Sequence, residues 1–201
     1  MKKLKIGITG GIGSGKSVLA DYLVSKNFKV INADKIAKEI LVQDAAVKNK
    51  IIKAFGEESY KDGAPDRKYL AEKVFSDPAK VLKINSIIHP AAIKKIAALN
   101  DEYLKTDNIV FTEAALIYEA EMQDMFDLIV LLRSDESVRI DRVAGRDKFG
   151  RDEILKRMKH QYSDEEKAGA ADFVIENNST LEDLYKKADF LLLLFNNMCA
   201  S

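Results

Sequence analysis

Residues 10–17 read Gly10-Gly11-Ile12-Gly13-Ser14-Gly15-Lys16-Ser17, and this stretch decides the fold. It fits the pattern G-x-x-x-x-G-K-[ST], which is typical of a loop that cradles phosphate groups. Apolar residues alternate at positions 4, 6 and 8 and predict a strand before the loop. Apolar residues recur at positions 18, 19, 22 and 23 and predict a helix after it. A strand, a glycine-rich loop and a helix in this order predict an α/β fold in which the helix N-terminus faces an anion.

Each residue type in the loop has a physical role. Glycines let the backbone turn its N–H groups inward and approach an anion closely. The Lys16 ammonium can reach the outer phosphates of a nucleotide, and the Ser17 hydroxyl can ligate Mg²⁺. The residues that we predict to contact ATP here are Gly11, Ile12, Gly13, Ser14, Gly15, Lys16, Ser17 and Val18. A glycine-rich hairpin turn beside a surface lysine is the alternative, and the flanking strand and helix argue against it.

Composition limits the possible partners and location. The chain has 201 residues with 32 basic and 32 acidic side chains, so its formal net charge is zero. This balance disfavours broad nucleic-acid binding, which needs a basic surplus. Cys199 is the single cysteine, so no internal disulfide forms, as expected in a reducing cytoplasm. The apolar run at 190–195 is too short to span a bilayer, so we predict a cytoplasmic protein with no membrane partner.

Further apolar runs at 28–31, 109–111, 126–132 and 172–176 predict four more strands, which makes five. Asp34 follows the second predicted strand, where open parallel sheets place their ligands. Asp34 therefore has two compatible interpretations: it caps the helix predicted over 35–42, or it takes part in catalysis. Glu113 follows the third predicted strand in the same way.

Two helical segments interrupt the predicted sheet. Apolar residues at helical spacing between 44 and 105 predict several helices and no strand, with an interruption at His89-Pro90. An insertion this long is a natural dock for a second substrate, or else an extra helical layer without a binding role. Further on, Arg139, Arg142 and Arg146 lie on one helical stripe. We interpret this segment as a lid that closes over phosphates, and the alternative is a solvated face paired with acidic neighbours.

A phosphate loop alone does not identify the reaction. A GTPase switch would carry a guanine-reading Asn-Lys-x-Asp motif, which the sequence lacks, and a motor or transporter ATPase is usually a much larger chain. A short chain with an inserted acceptor lobe, an arginine-rich lid and a carboxylate after a strand favours a small-molecule kinase. A nucleoside monophosphate kinase and a non-catalytic ATP-binding module remain as alternatives.

The order of short motifs narrows this choice, because the chain resembles the dephospho-CoA kinases along nearly its whole length. The loop with its preceding Thr9 matches the loop of that family, and Asn32-Ala33-Asp34 resembles its D-A-D motif. The other matching stretches are 55–56, 62–63, 66–67, 74–75, Asn85 through His89-Pro90, 113–119, 142–147, 157–161 and 171–177. Glu113 stands where the family usually has aspartate.

This resemblance implies a P-loop kinase fold: a five-stranded parallel sheet with helices on both faces, an inserted helical substrate lobe and a helical lid. It implies one domain with a core at 1–34, 106–138 and 160–201, a CoA-binding lobe at 35–105 and a lid at 139–159. It also implies transfer of a phosphoryl group from ATP, with Mg²⁺, to the ribose 3′-hydroxyl of dephospho-CoA, giving ADP and coenzyme A.

The resemblance also assigns roles to single residues. Asp34 would orient and deprotonate the acceptor hydroxyl, while Lys16, Arg142 and Arg146 would stabilise the transferring phosphoryl group. Ser17 would ligate Mg²⁺. The remaining implied positions are His89 and Glu113 toward the substrate, Glu113 also toward Mg²⁺ through water, and Asn177 beside the adenine. A structural histidine at a helix break is the alternative for His89.

Overall fold

The computed structural model describes residues 2–74, 77–147, 150–158 and 161–200, and for residues 146, 147, 153 and 157 it describes the backbone alone. The strands are β1 (Leu4–Gly10), β2 (Lys29–Asn32), β3 (Tyr60–Lys61), β4 (Ala64–Pro65), β5 (Ile109–Glu113), β6 (Leu128–Arg133) and β7 (Phe173–Glu176). The helices are α1 (Lys16–Ser25), α2 (Ala33–Gln43), α3 (Ala45–Phe55), α4 (Arg67–Val74), α5 (Pro78–Tyr103), α6 (Glu136–Asp147), α7 (Arg151–Met158), α8 (Asp164–Ala170) and α9 (Leu181–Ala200).

Five strands form one parallel sheet in the order β2-β5-β1-β6-β7. β1 lies at its centre, with Leu4 opposite Ile109 of β5 and Ile6 opposite Leu128 of β6. β5 is buried along its whole length, as expected for a strand covered on both faces. The prediction of a five-stranded parallel sheet is therefore confirmed. Because β1 is central, the loop that follows it lies in the middle of the carboxyl edge of the sheet.

The hydrophobic core lies between the sheet and the helices α1 and α9. Ile6 and Ile8 of β1 and Phe111 of β5 pack there against Leu19 of α1 and Phe195 of α9. The other face of the sheet carries Gly7 and Thr112. Gly7 lies against the side chains of Ile117 and Phe126, and the Thr112 hydroxyl lies 3.5 Å from Asn100 Oδ1 at the end of α5. The sheet is thus covered on both faces.

Residues 33–98 form a second compact unit of their own, made of α2, α3, the β3–β4 hairpin, α4 and most of α5. Aspartates cap α3 and α4: Asp44 accepts the N–H of Ala46 at 2.9 Å, and Asp66 accepts the N–H of Tyr69 at 2.9 Å. Asp66 is thus the N-cap of α4. The sequence predicts an inserted lobe at 35–105, and its role in binding CoA stays a prediction.

Two local features differ from the sequence-based expectations for this insertion. α5 runs from Pro78 to Tyr103 with Pro90 inside it, so His89-Pro90 does not end the helix. Proline removes one backbone hydrogen bond, and the buried side chains of Ile88 and Ala92 on either side stabilise the helix across that position. A short antiparallel hairpin, β3–β4, occupies 60–65, where the apolar pattern predicted no strand.

The arginine-rich segment contains two helices, α6 and α7. Ile140 and Val143 of α6 pack against Ile154 of α7, and all three side chains are buried. The lid predicted at 139–159 therefore has a small core of its own, while its closure over a ligand stays a prediction. In the described part of the chain, no helix is long and apolar enough to cross a membrane.

Candidate active site

The candidate site is built from the ends of the five parallel strands. Gly10 ends β1, and Glu113 ends β5 in register with Asn32 at the end of β2. Ser134 follows β6, and Asn177 follows β7. Ligands of open parallel sheets bind at this edge, so the fold itself brings these five residues to the place where a ligand is expected.

The loop 10–17 adopts a conformation that requires glycine at two positions in particular. Gly13 and Gly15 have φ angles of 81° and 101°, in the left-handed region. Gly13 also lies under α6, where an added Cβ would be 2.6 Å from the carbonyl oxygen of Arg139. α1 then begins at Lys16 with Gly15 as its N-cap, so no side chain occupies the first N–H groups of the helix. These groups and the helix dipole favour an anion here.

Lys16 is buried, with 9% of its surface exposed. Its Nζ atom donates to the carbonyl oxygens of Gly10 and Gly11 at 2.9 and 3.1 Å. The ammonium is therefore held inside the loop by the backbone that surrounds it. A buried ammonium favours an anionic partner, because burial removes most of its hydration. A phosphate group bound in the loop would be an anion of this kind.

Ser17, Glu113 and Asn32 form a polar group beside the loop. The Ser17 hydroxyl donates to Glu113 Oε1 at 3.0 Å, and the Asn32 amide donates to Glu113 Oε2 at 2.5 Å. Glu113 is 6% exposed, so both carboxylate oxygens are fixed in a largely buried position. A hydroxyl and a carboxylate are the hard oxygen donors that Mg²⁺ prefers, and this pair fits the ion.

Asn177, Ser134 and Arg142 support the loop from the other side. The Asn177 amide donates to the carbonyl oxygen of Ser14 at 2.8 Å and occupies the space where a Cβ on Gly15 would lie. The Ser134 hydroxyl donates to the carbonyl oxygen of Asn177 at 2.7 Å and receives a hydrogen bond of 3.2 Å from Arg142 Nη1. Arg142 is thereby tied to the residues that support the phosphate loop. The adenine contact predicted for Asn177 stays a prediction.

Two side chains contact the front half of the loop. Gln161 Oε1 accepts the N–H of Ile12 at 2.9 Å. Arg139 of α6 lies against Gly11, and its Nη1 atom is 3.6 Å from the Asp164 carboxylate of α8. Gln161 was predicted only as the end of the family-matching stretch 157–161, and no sequence pattern singled out Asp164 as a site residue. Ser163 and Glu166 form a capping box that begins α8, and that spacing is the one local signal that places Asp164 at a helix start.

An open cavity of about 650 Å³ lies beside these contacts, between α6, α7 and the start of α8. Its walls include Ser134 and Arg139, the apolar side chains of Leu155 and Met158, and Gln161. The cavity therefore adjoins the residues that touch the front half of the loop.

Four predicted site residues remain to be described: Val18, Arg146, Asp34 and His89. Val18 is on α1 and partly exposed, while the side chain of Arg146 lies outside the described residues. Asp34 and His89 belong to the unit 33–98. α2 begins at Ala33, so Asp34 lies inside its first turn and not at the predicted cap; its carboxylate is exposed and has no partner within the described chain. His89 is half-buried, and burial lowers the pKa of its imidazole.

A parallel sheet with a phosphate loop after its central strand, a buried lysine and a Ser–Glu pair together define a P-loop nucleotide-binding protein. Comparison with known proteins makes the assignment narrower. A family model described as dephospho-CoA kinase matches residues 4–183, and the chain belongs to that family.

Individual relatives agree with this membership. A dephospho-CoA kinase from Fusobacterium nucleatum is 43% identical over 190 residues, covering 94% of this chain and 97% of that protein. A solved structure of a Thermus thermophilus protein has a TM-score of 0.80 and 31% identity, covering 96% of this chain and 98% of that one. A solved dephospho-CoA kinase from Campylobacter jejuni has a TM-score of 0.71 and 27% identity, covering 94% and 95%.

Proposed function

We propose that this protein transfers the γ-phosphoryl group of ATP to the ribose 3′-hydroxyl of dephospho-CoA and releases coenzyme A and ADP. The single observation that carries this proposal is the loop 10–17 at the carboxyl end of β1, with buried Lys16 inside it and the Ser17–Glu113 pair beside it. Membership of the dephospho-CoA kinase family identifies dephospho-CoA as the acceptor in this proposal. The reaction is the last step of coenzyme A synthesis.

The loop holds the phosphates of ATP in this proposal. The backbone N–H groups of the loop would bind the β- and γ-phosphates, and the Lys16 ammonium, which here donates to Gly10 and Gly11, would donate to phosphate oxygens. Phosphate oxygens carry negative charge, so their hydrogen bonds with the ammonium are stronger than those of neutral carbonyl oxygens. In this proposal the loop therefore stabilises the negative charge that develops on the leaving phosphate during transfer.

Mg²⁺ is the metal that we propose for the site. Ser17 Oγ would ligate it directly, and Glu113 would hold one of its water ligands. When bound, the ion neutralises charge on the phosphates. Asn32 keeps Glu113 in place for this role through its 2.5 Å hydrogen bond.

The remaining roles concern the acceptor and the lid. We propose that Asp34 accepts the proton of the 3′-hydroxyl, because an exposed carboxylate without a partner is available for a substrate. Arg142 and Arg146 offset the charge of the transferring group, while His89 and the unit 33–98 contact the CoA moiety. We also propose a cytoplasmic location and no binding of nucleic acid, in keeping with the balanced charge of the chain.

A panel assay tests the activity. The protein is incubated with Mg·ATP in separate reactions that contain dephospho-CoA, AMP, UMP or no acceptor. The masses of the products are measured by mass spectrometry. We expect a phosphoryl group to be added to dephospho-CoA, at the 3′ position as assigned by ³¹P–¹H coupling. Addition to a nucleoside monophosphate, or ATP binding with no acceptor modified, would contradict the proposal.

The role of Asp34 has its own test. Asp34→Asn keeps the size of the side chain but removes the proton acceptor, so we expect turnover to fall by at least ~10²-fold while ATP still binds. Asp62→Asn is a matched control in the same unit: Asp62 is exposed in the β3–β4 turn with a φ of 52°, which asparagine also adopts. Near-normal turnover in Asp34→Asn would remove Asp34 from the mechanism.

A further inference from the structure

Lys167 of α8 is fully buried, with 0% of its side chain exposed. Its Nζ atom lies 2.8 Å from Glu119 Oε1 and donates to the carbonyl oxygen of Ala115 at 3.2 Å. Glu119 lies in the segment that follows β5 and is itself 11% exposed. A buried ion pair seldom adds net stability over apolar residues of the same size, because both charges lose their hydration. Such a pair is better explained by its effect on structure, because it holds α8 and the segment after β5 in one relative arrangement.

Glu119 holds more than the lysine. Its Oε1 atom also accepts the backbone N–H of Tyr162 at 2.7 Å. Tyr162 is followed by Ser163, whose hydroxyl accepts the N–H of Glu166 and closes the capping box of α8. Residues 161–167 are therefore fixed at both ends, by the capping box within α8 and by the carboxylate of Glu119 from outside.

Gln161 connects this fixed segment to the phosphate loop. Gln161 precedes Tyr162, and its side-chain carbonyl accepts the N–H of Ile12 at 2.9 Å. A second contact runs beside it, from Asp164 at the start of α8 through Arg139 to Gly11. The residues at the start of α8 are thus linked to two consecutive loop residues, to Ile12 directly through Gln161 and to Gly11 indirectly through Arg139. Lys167 and Glu119 fix the position of that start.

We propose that Glu119 is a positioning residue for ATP binding: paired with Lys167, it holds Tyr162 so that Gln161 fixes the front half of the phosphate loop before the nucleotide arrives. The proposal rests on the proposed phosphoryl transfer at this loop. A loop that is already ordered binds phosphate without a further loss of conformational entropy. Loss of the constraint should therefore weaken nucleotide binding more than it slows the chemical step.

The test must avoid leaving a buried charge without its partner, since either single substitution would destabilise the protein for that reason alone. Glu119→Leu/Lys167→Met removes both charges and also the acceptor for the N–H of Tyr162. Glu119→Gln/Lys167→Met removes both charges and keeps an amide oxygen for that N–H. The two double variants differ in the contact that the proposal depends on.

We expect Glu119→Leu/Lys167→Met to raise KM for ATP and Kd for Mg·ADP roughly 10-fold, the equivalent of about one hydrogen bond, with kcat changed less than about threefold. Glu119→Gln/Lys167→Met should stay within about threefold of the unmodified protein in both constants. The control is Glu182→Leu/Lys186→Met, which removes a solvent-exposed pair with the same 2.8 Å separation on α9 and should change neither constant.

Gln161→Ala completes the test. It should raise both constants by about the same factor as the leucine double variant, and combining the two should add nothing further, because they break the same connection. Equal constants in the two double variants, or full additivity with Gln161→Ala, would overturn the proposal. Titration with Mg·ADP needs no acceptor, so it judges this proposal even if the protein failed to phosphorylate dephospho-CoA.

Discussion

Gly13→Ala is the perturbation that tests most directly how α6 lies on the phosphate loop. The φ angle of 81° places Gly13 in the left-handed region, where a Cβ costs roughly 1–2 kcal/mol. The added methyl would also lie 2.6 Å from the carbonyl oxygen of Arg139 and 3.0 Å from Val143 Cγ2. The first of these atoms is helix backbone and cannot rotate away, so α6 must shift, at a further ~1–3 kcal/mol.

The combined loss is at least about 2 kcal/mol, which for a chain of this size lowers Tm by roughly 4–8 °C. Circular dichroism during heating, without nucleotide, measures this change, and titration with Mg·ADP should show weakened binding as well. Gly145→Ala is the control in the same helix: no atom lies within 4 Å of its added Cβ. That change should raise Tm by a few degrees, since alanine is favoured over glycine in a helix by about 1 kcal/mol. A Gly13→Ala protein with unchanged Tm and affinity would refute the packing of α6 on the loop.

Three further predictions concern other parts of the molecule. Lys16→Ala should impair both ATP binding and kcat in steady-state assays, and unchanged kinetics would rule out the loop as the phosphate site. Asn177→Asp replaces the donor to the carbonyl oxygen of Ser14 with a carboxylate, so thermal unfolding should reveal a loss of about 1–3 kcal/mol; full stability would show that this contact is not made. Burial lowers the pKa of His89 in the folded chain. As the pH falls below about 6.5, the imidazole of the unfolded chain therefore binds a proton before that of the folded chain. The free energy of unfolding decreases as the pH falls through this window, and it levels off below the lowered pKa of the folded chain. His89→Asn should lose less stability on acidification across that window, as urea unfolding at several pH values would measure; an identical pH dependence would count against burial of the imidazole.

Local patterns predicted the parts of the fold that depend on neighbours in sequence. The strand before the loop, α1 after it and the apolar run of β5 all follow from spacings of two to four residues, and each is present. Apolar runs also predicted the number of strands, and the family resemblance implied their parallel arrangement in one sheet. Glu113 and Ser17 were both predicted site residues, and the register of β5 with β1 and β2 brings them together.

Contacts between distant residues could not be read from such patterns. Ser134 illustrates this. A serine just before a helix is typical of an N-cap, so its position in the sequence indicates a local role at the start of α6. In the structure its hydroxyl donates to Asn177, 43 residues further along. Gln161 and Ile12 are 149 positions apart, and no local spacing indicates that an amide side chain meets a loop N–H. Pro90 shows the opposite limit: a rule about single residues predicted a break, and packing of the surrounding helix outweighed it.

The central position of β1 has a consequence for how the protein is made. Its first residue pairs with Ile109 and its third with Leu128, so both neighbouring strands are synthesised more than a hundred residues later. At a ribosomal rate of about 5–20 residues per second, this apolar strand waits roughly 5–25 s for its partners. The phosphate loop therefore acquires its binding shape only after β5 and β6 have been synthesised and have left the ribosome.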